Sequence, residues 1–271
     1  MPSFITAQKS LTRLQSALTF ATTFDQDISA TFSKGEANLY TAPSYGELEH
    51  VVANKLPEHI ELSEGGKTGK ALTFKTKEKP VIFYPAAKNI QYYESDWSGT
   101  VSLWLSVDPD QDLAPGYTDP IQITDAGYDD AALWVDFSDK NPRDFRMGTF
   151  GDVTIWNPEK KNPNENPQFI NRLIQAIPVP FSKATWTHVV IAFEHLNAKN
   201  GRCQLYINGT PQGERSISEP FTWEVSNAKI FLGLNYIGRL DEVSIFDRAL
   251  DEDEVKTLYE LPGGIGALIR E

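Results

Sequence analysis

Carboxylates and aromatic rings are the side chains whose spacing in this chain could do chemistry. In the stretch YDDAALWVDFSD, Asp136 follows Trp134 by two residues, so on a strand both project from one face. Cleaving a glycosidic bond takes two carboxyl groups about 5 to 10 Å apart, one as acid and one as nucleophile or base. On a strand that means carboxylates at i and i+2 or i+4. Asp129, Asp130 and Asp139 flank Asp136 but fall where turn residues are expected, so no catalytic pair is expected there. The acidic run 251–254 reads as a helix start. His50, His59, His188 and His195 lack the paired spacing of a zinc site, and no nucleophile elbow, phosphate-cradling glycine loop or dinucleotide fingerprint occurs. The single cysteine, Cys203, falls in an apolar strand and is expected to be a buried, inert thiol.

Sugar recognition needs flat aromatic faces and a few oriented polar groups. Of the six tryptophans, Trp104 sits mid-strand and reads as core, whereas Trp97, Trp134, Trp156 and Trp223 lie at strand ends or in loops, where exposure is expected. Trp134 and Trp156, with Asp136, Arg146 and Tyr236 as polar neighbours if the strands align, form the candidate binding site on a concave face. Trp156 belongs to a long excursion, Asp139 to Ser182, in which Asn157-Pro158, Asn162-Pro163 and Asn166-Pro167 mark successive turns. Excursions of that length in compact domains are functional or disordered. The segment is read as functional, with Trp156 at the surface.

Strands must carry these residues. Val189, Ile191 and Phe193 alternate with Val190, Ala192 and Glu194, and Leu205 and Ile207 alternate with Gln204 and Tyr206, the period-2 pattern of half-buried strands. Asn208-Gly209 tolerates positive φ at both turn centres and predicts a hairpin. Leu240, Val243, Ile245 and Phe246 predict a further strand. After it LDEDEVKTLYEL turns helical, with Asp251 as N-cap and Glu254 as its capping-box partner. Tyr40 to Thr68 reads as a long loop, and QFINRLIQAI (168–177) as a short helix or a bent strand. Leu11, Leu14 and Leu18 at helical spacing predict an amphipathic helix or ordered lead-in at the start. Arg13, Gln15 and Ser16 break the apolar run that a signal peptide would need.

The run WTHVVIAFEHLNAKNGRCQLYINGTPQG followed by IGRLDEVSIFDRALDEDEVKTLYEL resembles the laminin-G-like members of the concanavalin A-like lectin/glucanase group. GGKTGKALTF, SGTVSLWLSVDP and LTFATTFDQDISA are similar, in order, to earlier strands of that family. The resemblance covers residues 18–261, leaving 1–17 as lead-in and 262–271 as tail. It implies an all-β fold, a two-sheet antiparallel jelly-roll sandwich with a short C-terminal helix and minor peripheral helices. It implies that Trp186 is a core residue. It implies a non-catalytic module binding carbohydrate or glycoprotein; a structural or adhesive protein-protein domain is the alternative, and a glycan-cleaving enzyme a third. The Glu-x-Asp-x-x-Glu string of the group's glucanases is missing, which weighs against cleavage. An extracellular or cell-surface setting is also implied. Related sandwiches hold a structural calcium, and by resemblance its ligands here are Asp25, the carbonyls of Gly69 and Lys70, and Asp241, with Asp27 as a further candidate.

Composition agrees. The chain has 271 residues, 40% hydrophobic and 11% aromatic, enough for a large core. With 25 Lys+Arg against 37 Asp+Glu, a net charge of −12 repels phosphate backbones and anionic lipid heads, so neither nucleic acid nor membrane insertion is expected.

Overall fold

The computed structural model describes residues 4–178 and 180–269; Val179 in the long excursion, and residues 1–3 and 270–271 at the ends of the expected lead-in and tail, lie outside them. Two antiparallel sheets pack face to face. The first has nine strands, in the order Thr210–Ile217, Gly201–Ile207, Thr187–Leu196, Trp97–Ser106, Gly238–Phe246, Leu18–Thr22, Phe32–Ser33, with Lys70–Phe74 also paired to Gly238–Phe246 and Ile60–Glu64 beyond it. The second has eight, in the order Ile174–Gln175, Phe145–Phe150, Ala132–Phe137, Thr118–Thr124, Lys229–Leu234, Val81–Pro85, Tyr40–Ala42, Val52–Ala53.

Alternation decides what lies between the sheets. Leu133, Val135 and Phe137 point inward and join Val101, Leu103, Leu105, Val189, Ile191 and Phe193 in one buried cluster. Their neighbours Trp134 and Asp136 therefore face outward from the second sheet. The expected hairpin forms at Asn208 (φ 50) and Gly209 (φ 75), and the helix Glu252–Tyr259 starts in the expected capping box. That helix, the opening helix Phe4–Ala17 and the short helix Gly266–Ile269 cover the outer face of the first sheet, where Leu14, Val255, Leu258 and Leu268 pack on Val190, Tyr206 and Phe246.

Two segments depart from expectation. Asp139 to Ser182 is not a plain excursion: Phe145 and Met147 alternate inward along a strand of the second sheet, and only then does the chain leave in the short helices Val153–Trp156 and Pro167–Ile170. The stretch 168–177 is both things at once, the end of a helix and then the edge strand Ile174–Gln175. Likewise Tyr40 to Thr68 contributes the strands Tyr40–Ala42, Val52–Ala53 and Ile60–Glu64. Short strands with few apolar residues carry too little period to stand out.

Candidate functional site

The outer face of the second sheet carries two apolar patches, each under its own loop. On one side Trp134 and Phe150 are roofed by Trp156 and Phe169 from the two short helices. On the other, Tyr45 and Leu48 cover Phe83 and Phe231. Between the roofs runs a trough of about 1000 Å³ whose polar and aromatic walls include Tyr45, Tyr117, Asp119, Gln122, Tyr128, Asp136 and Arg146.

Asp136 and Arg146 are cross-strand partners. Arg146 donates from Nε to Asp136 Oδ1 at 2.9 Å and from Nη2 to Oδ2, a bidentate pair with both side chains largely out of water. Burial raises the Asp136 carboxyl above the usual carboxylate range against the pull of the arginine. The guanidinium lies 5.1 Å from the centre of the Tyr117 ring. Gln122 donates to the Tyr45 hydroxyl at 2.6 Å. Tyr128 is exposed, and Tyr45 and Tyr117 are half-buried.

Of the five residues expected to bind ligand, the structure brings Trp134, Asp136 and Arg146 together in the trough. Trp156 and Tyr236 do not reach it. Trp156 is 2% exposed: its ring packs on Phe150 and Phe169, and its N–H donates to the Asp129 carbonyl at 2.9 Å. The polar, Pro-rich segment around it folds into the roof itself and turns the indole inward. Tyr236 lies between the sheets, edge-on to Phe74, because the turn after Leu234 returns the chain into the core. Trp97 and Trp223 are also interior, edge-to-face at 4.9 Å, while Trp186 is only half-buried, beneath Arg239. Expected exposure is thus reversed for these tryptophans. Trp134 keeps an edge in the trough, but 2% exposure and the rings of Phe150 and Phe169 leave it no free face for a sugar. The accessible rings are the tyrosines, which tryptophan-centred reasoning missed. Tyr45, Tyr117 and Tyr128 each adjoin a glycine in a turn-rich stretch, the one signal that could have marked them.

Of the residues expected around a metal, Asp25 and Asp241 both bond backbone amides of the loop 65–70, while the Gly69 carbonyl accepts from the Gly66 N–H at 2.9 Å. A bulge at Asp241, with Glu242 at φ 49, breaks the alternation that would send the two carboxylates to opposite faces. Both reach the loop 65–70. Asp241 Oδ2 accepts from the Lys67 N–H at 2.7 Å, Glu242 accepts from the Thr68 hydroxyl at 2.5 Å, and Asp25 accepts from the Lys70 N–H at 3.1 Å. Burial, with the charge of Glu242 beside it, pushes the Asp241 carboxyl up to about 8. His188 is buried, bonded to Ser102 and stacked on Trp104.

A family model of the concanavalin A-like lectin/glucanases superfamily matches residues 85–256, well over half of the chain. The chain belongs to this superfamily. Among curated proteins no match is found. Solved structures similar to this superfamily member include domain 4 of AbnA, an extracellular arabinanase from Geobacillus stearothermophilus, in complex with arabinotriose. It is 20% identical, with a TM-score of 0.54, over 89% of this chain and 97% of that one. The binding domain of Paraclostridial Mosquitocidal Protein 1 is 18% identical, TM-score 0.55, over 91% of this chain and 52% of that one. The botulinum neurotoxin serotype D ligand binding domain in complex with N-acetylneuraminic acid is 12% identical, TM-score 0.58, over 93% and 52%. The chain thus spans about half the length of these toxin domains. At such identities the likeness establishes the fold.

The superfamily member's loop 65–70 offers the donor set that calcium takes, carboxylate mixed with backbone carbonyl. Thr68 and Lys70 carbonyls and Asp241 Oδ2 crowd the Cα of Gly66 so closely that a Cβ there would overlap all three, and Asp25 does the same at Gly69. Among the described residues no three His, Cys, Asp or Glu side chains lie close enough to hold a metal by themselves, so carbonyl oxygens would have to complete the set.

Proposed function

We propose that the chain is a non-catalytic carbohydrate-binding module whose ligand lies in the trough on the outer face of the eight-stranded sheet. The observation that carries this reading is the trough itself, where the accessible rings of Tyr45, Tyr117 and Tyr128 stand around a bidentate Asp136–Arg146 pair. Rings supply the apolar face of a pyranose or furanose with a surface, and the fixed polar groups orient its hydroxyls. The solved relatives named with arabinotriose and with N-acetylneuraminic acid support carbohydrate as the ligand class. Binding without cleavage is favoured at Asp136 because both of its oxygens accept from Arg146, which ties the carboxylate to a structural ion pair. A structural calcium belongs to the same proposal, held by Asp25, Asp241 and the carbonyls of the loop 65–70, among them Gly69 and Lys70.

A glycan array followed by calorimetry tests the reading. Tyr117→Ala and Tyr128→Ala are expected to weaken the best ligand about tenfold each, or about 1.4 kcal/mol, without loss of fold. Absence of any glycan ligand, or full affinity in both variants, defeats it. Reducing ends released from a polysaccharide by the wild type but not by Asp136→Asn would make the chain a glycosidase instead.

A further inference from the structure

The trough is one-sided in charge. Its floor holds two carboxylates, Asp119 and Asp136, against one cation, Arg146. Asp136 occupies Nε and Nη2 of that arginine, and the guanidinium stacks on Tyr117. Asp119 stands beside them, half-buried, and among the described residues its carboxylate has no hydrogen bond or ion pair. Burial, then the charge of Asp136, raises its carboxyl well above the usual range. Further carboxylates bear on the walls. Burial, together with Asp119 and Asp129, pushes the Tyr45 hydroxyl up to about 12, and burial followed by Asp139 raises that of Tyr117. At the rim Lys77 and Lys79 are offset by Glu47 and Glu78, and the Lys77 ammonium is taken by the Pro115 carbonyl at 2.9 Å.

A carboxylate partly stripped of water and left without a donor is costly, and a ligand that brings a donor removes that cost. With Asp119 ionised, a ligand that brings a negative group places a third like charge between low-dielectric walls. We propose that Asp119 makes the trough selective by charge: it accepts sugars that present hydroxyl or ammonium hydrogens to Asp119 and rejects uronate, sialylated and sulfated glycans. The inference rests on the trough being the glycan site.

An array on which each core is printed bare, sialylated and sulfated tests it, probed with the wild type, Asp119→Asn and Tyr117→Ala. The wild type should bind bare cores at least about tenfold better than their anionic forms. Asp119→Asn, which keeps the side chain's shape and takes away the unpartnered carboxylate, should melt no lower than the wild type and should cut the discrimination to about threefold or less. Anionic forms bound as well as bare ones, or discrimination unchanged in Asp119→Asn, overturns the inference while leaving the glycan site standing. No binding to any core, or binding untouched by Tyr117→Ala, overturns the glycan site and this inference with it.

Discussion

Replacing Trp156 with alanine should damage the fold far more than replacing Trp186, the reverse of what the polar segment around Trp156 and the family resemblance at Trp186 suggest. Trp156 is 2% exposed and packed on Phe150 and Phe169. A fully buried tryptophan removes about 200 Å² from water, worth about 5 kcal/mol at about 25 cal/mol per Å². Alanine keeps a small part of that, and the variant also leaves the Asp129 carbonyl without its indole donor. A loss of about 3 to 5 kcal/mol follows. Trp186 is half-buried, makes no comparable stack among the described residues, and touches the Arg239 guanidinium across 5.0 Å, so its truncation should cost about 1 to 2 kcal/mol. Urea denaturation followed by circular dichroism measures both, with equal m-values as the check that only stability has changed. If Trp186→Ala proves as costly as Trp156→Ala, the roof over the second sheet does not hold its tryptophan as described.

Three further outcomes are expected. The buried His188 imidazole is pushed down to about 3, by burial first and by the Lys67 charge second. Because its folded value lies below the unfolded 6.5, the stability it contributes is complete above that pH and is lost as pH falls towards 3. Between pH 7 and pH 4 the loss is on the order of 3 kcal/mol, and denaturation midpoints of His188→Gln should lack that part of the acid slope. Burial raises the Cys203 thiol to about 11, so a thiol reagent at pH 8 should leave the native protein unlabelled and react only after unfolding; rapid native labelling would contradict this. Millimolar calcium should raise the melting temperature by a few degrees, and Asp241→Ala should abolish the response. Identical melting curves in EGTA and in calcium would remove the metal from the account.

The fold was legible where local chemistry and period agree. The Asn208-Gly209 turn, the Asp251–Glu254 capping box and the alternation along 187–207 are each fixed by a few neighbouring residues. Half of the site was legible for the same reason: Trp134 and Asp136 share a face because they are two apart on a strand, and register then brings Arg146 opposite Asp136. What alternation cannot tell is whether an outward face meets water or a roof. Trp156 lies in a segment as polar as any solvent loop, yet Asn157 and Asn166 bind one another and turn it into short capped helices that close over Phe150. Tyr236 was lost to a turn whose direction depends on contacts with Phe74, more than 150 positions away. Asp119 was invisible because its significance is a missing partner, a property of the assembled floor.

The helices that open and close the described chain, Phe4–Ala17 and Gly266–Ile269, lie on the outer face of the nine-stranded sheet, with the sandwich core between them and the trough. A tether attached through either helix, whether a bead, a sensor surface or a fused protein, would therefore hold the molecule by its back. Immobilised so, every copy would present the trough to the medium, and crowding along a support would leave ligand access unhindered.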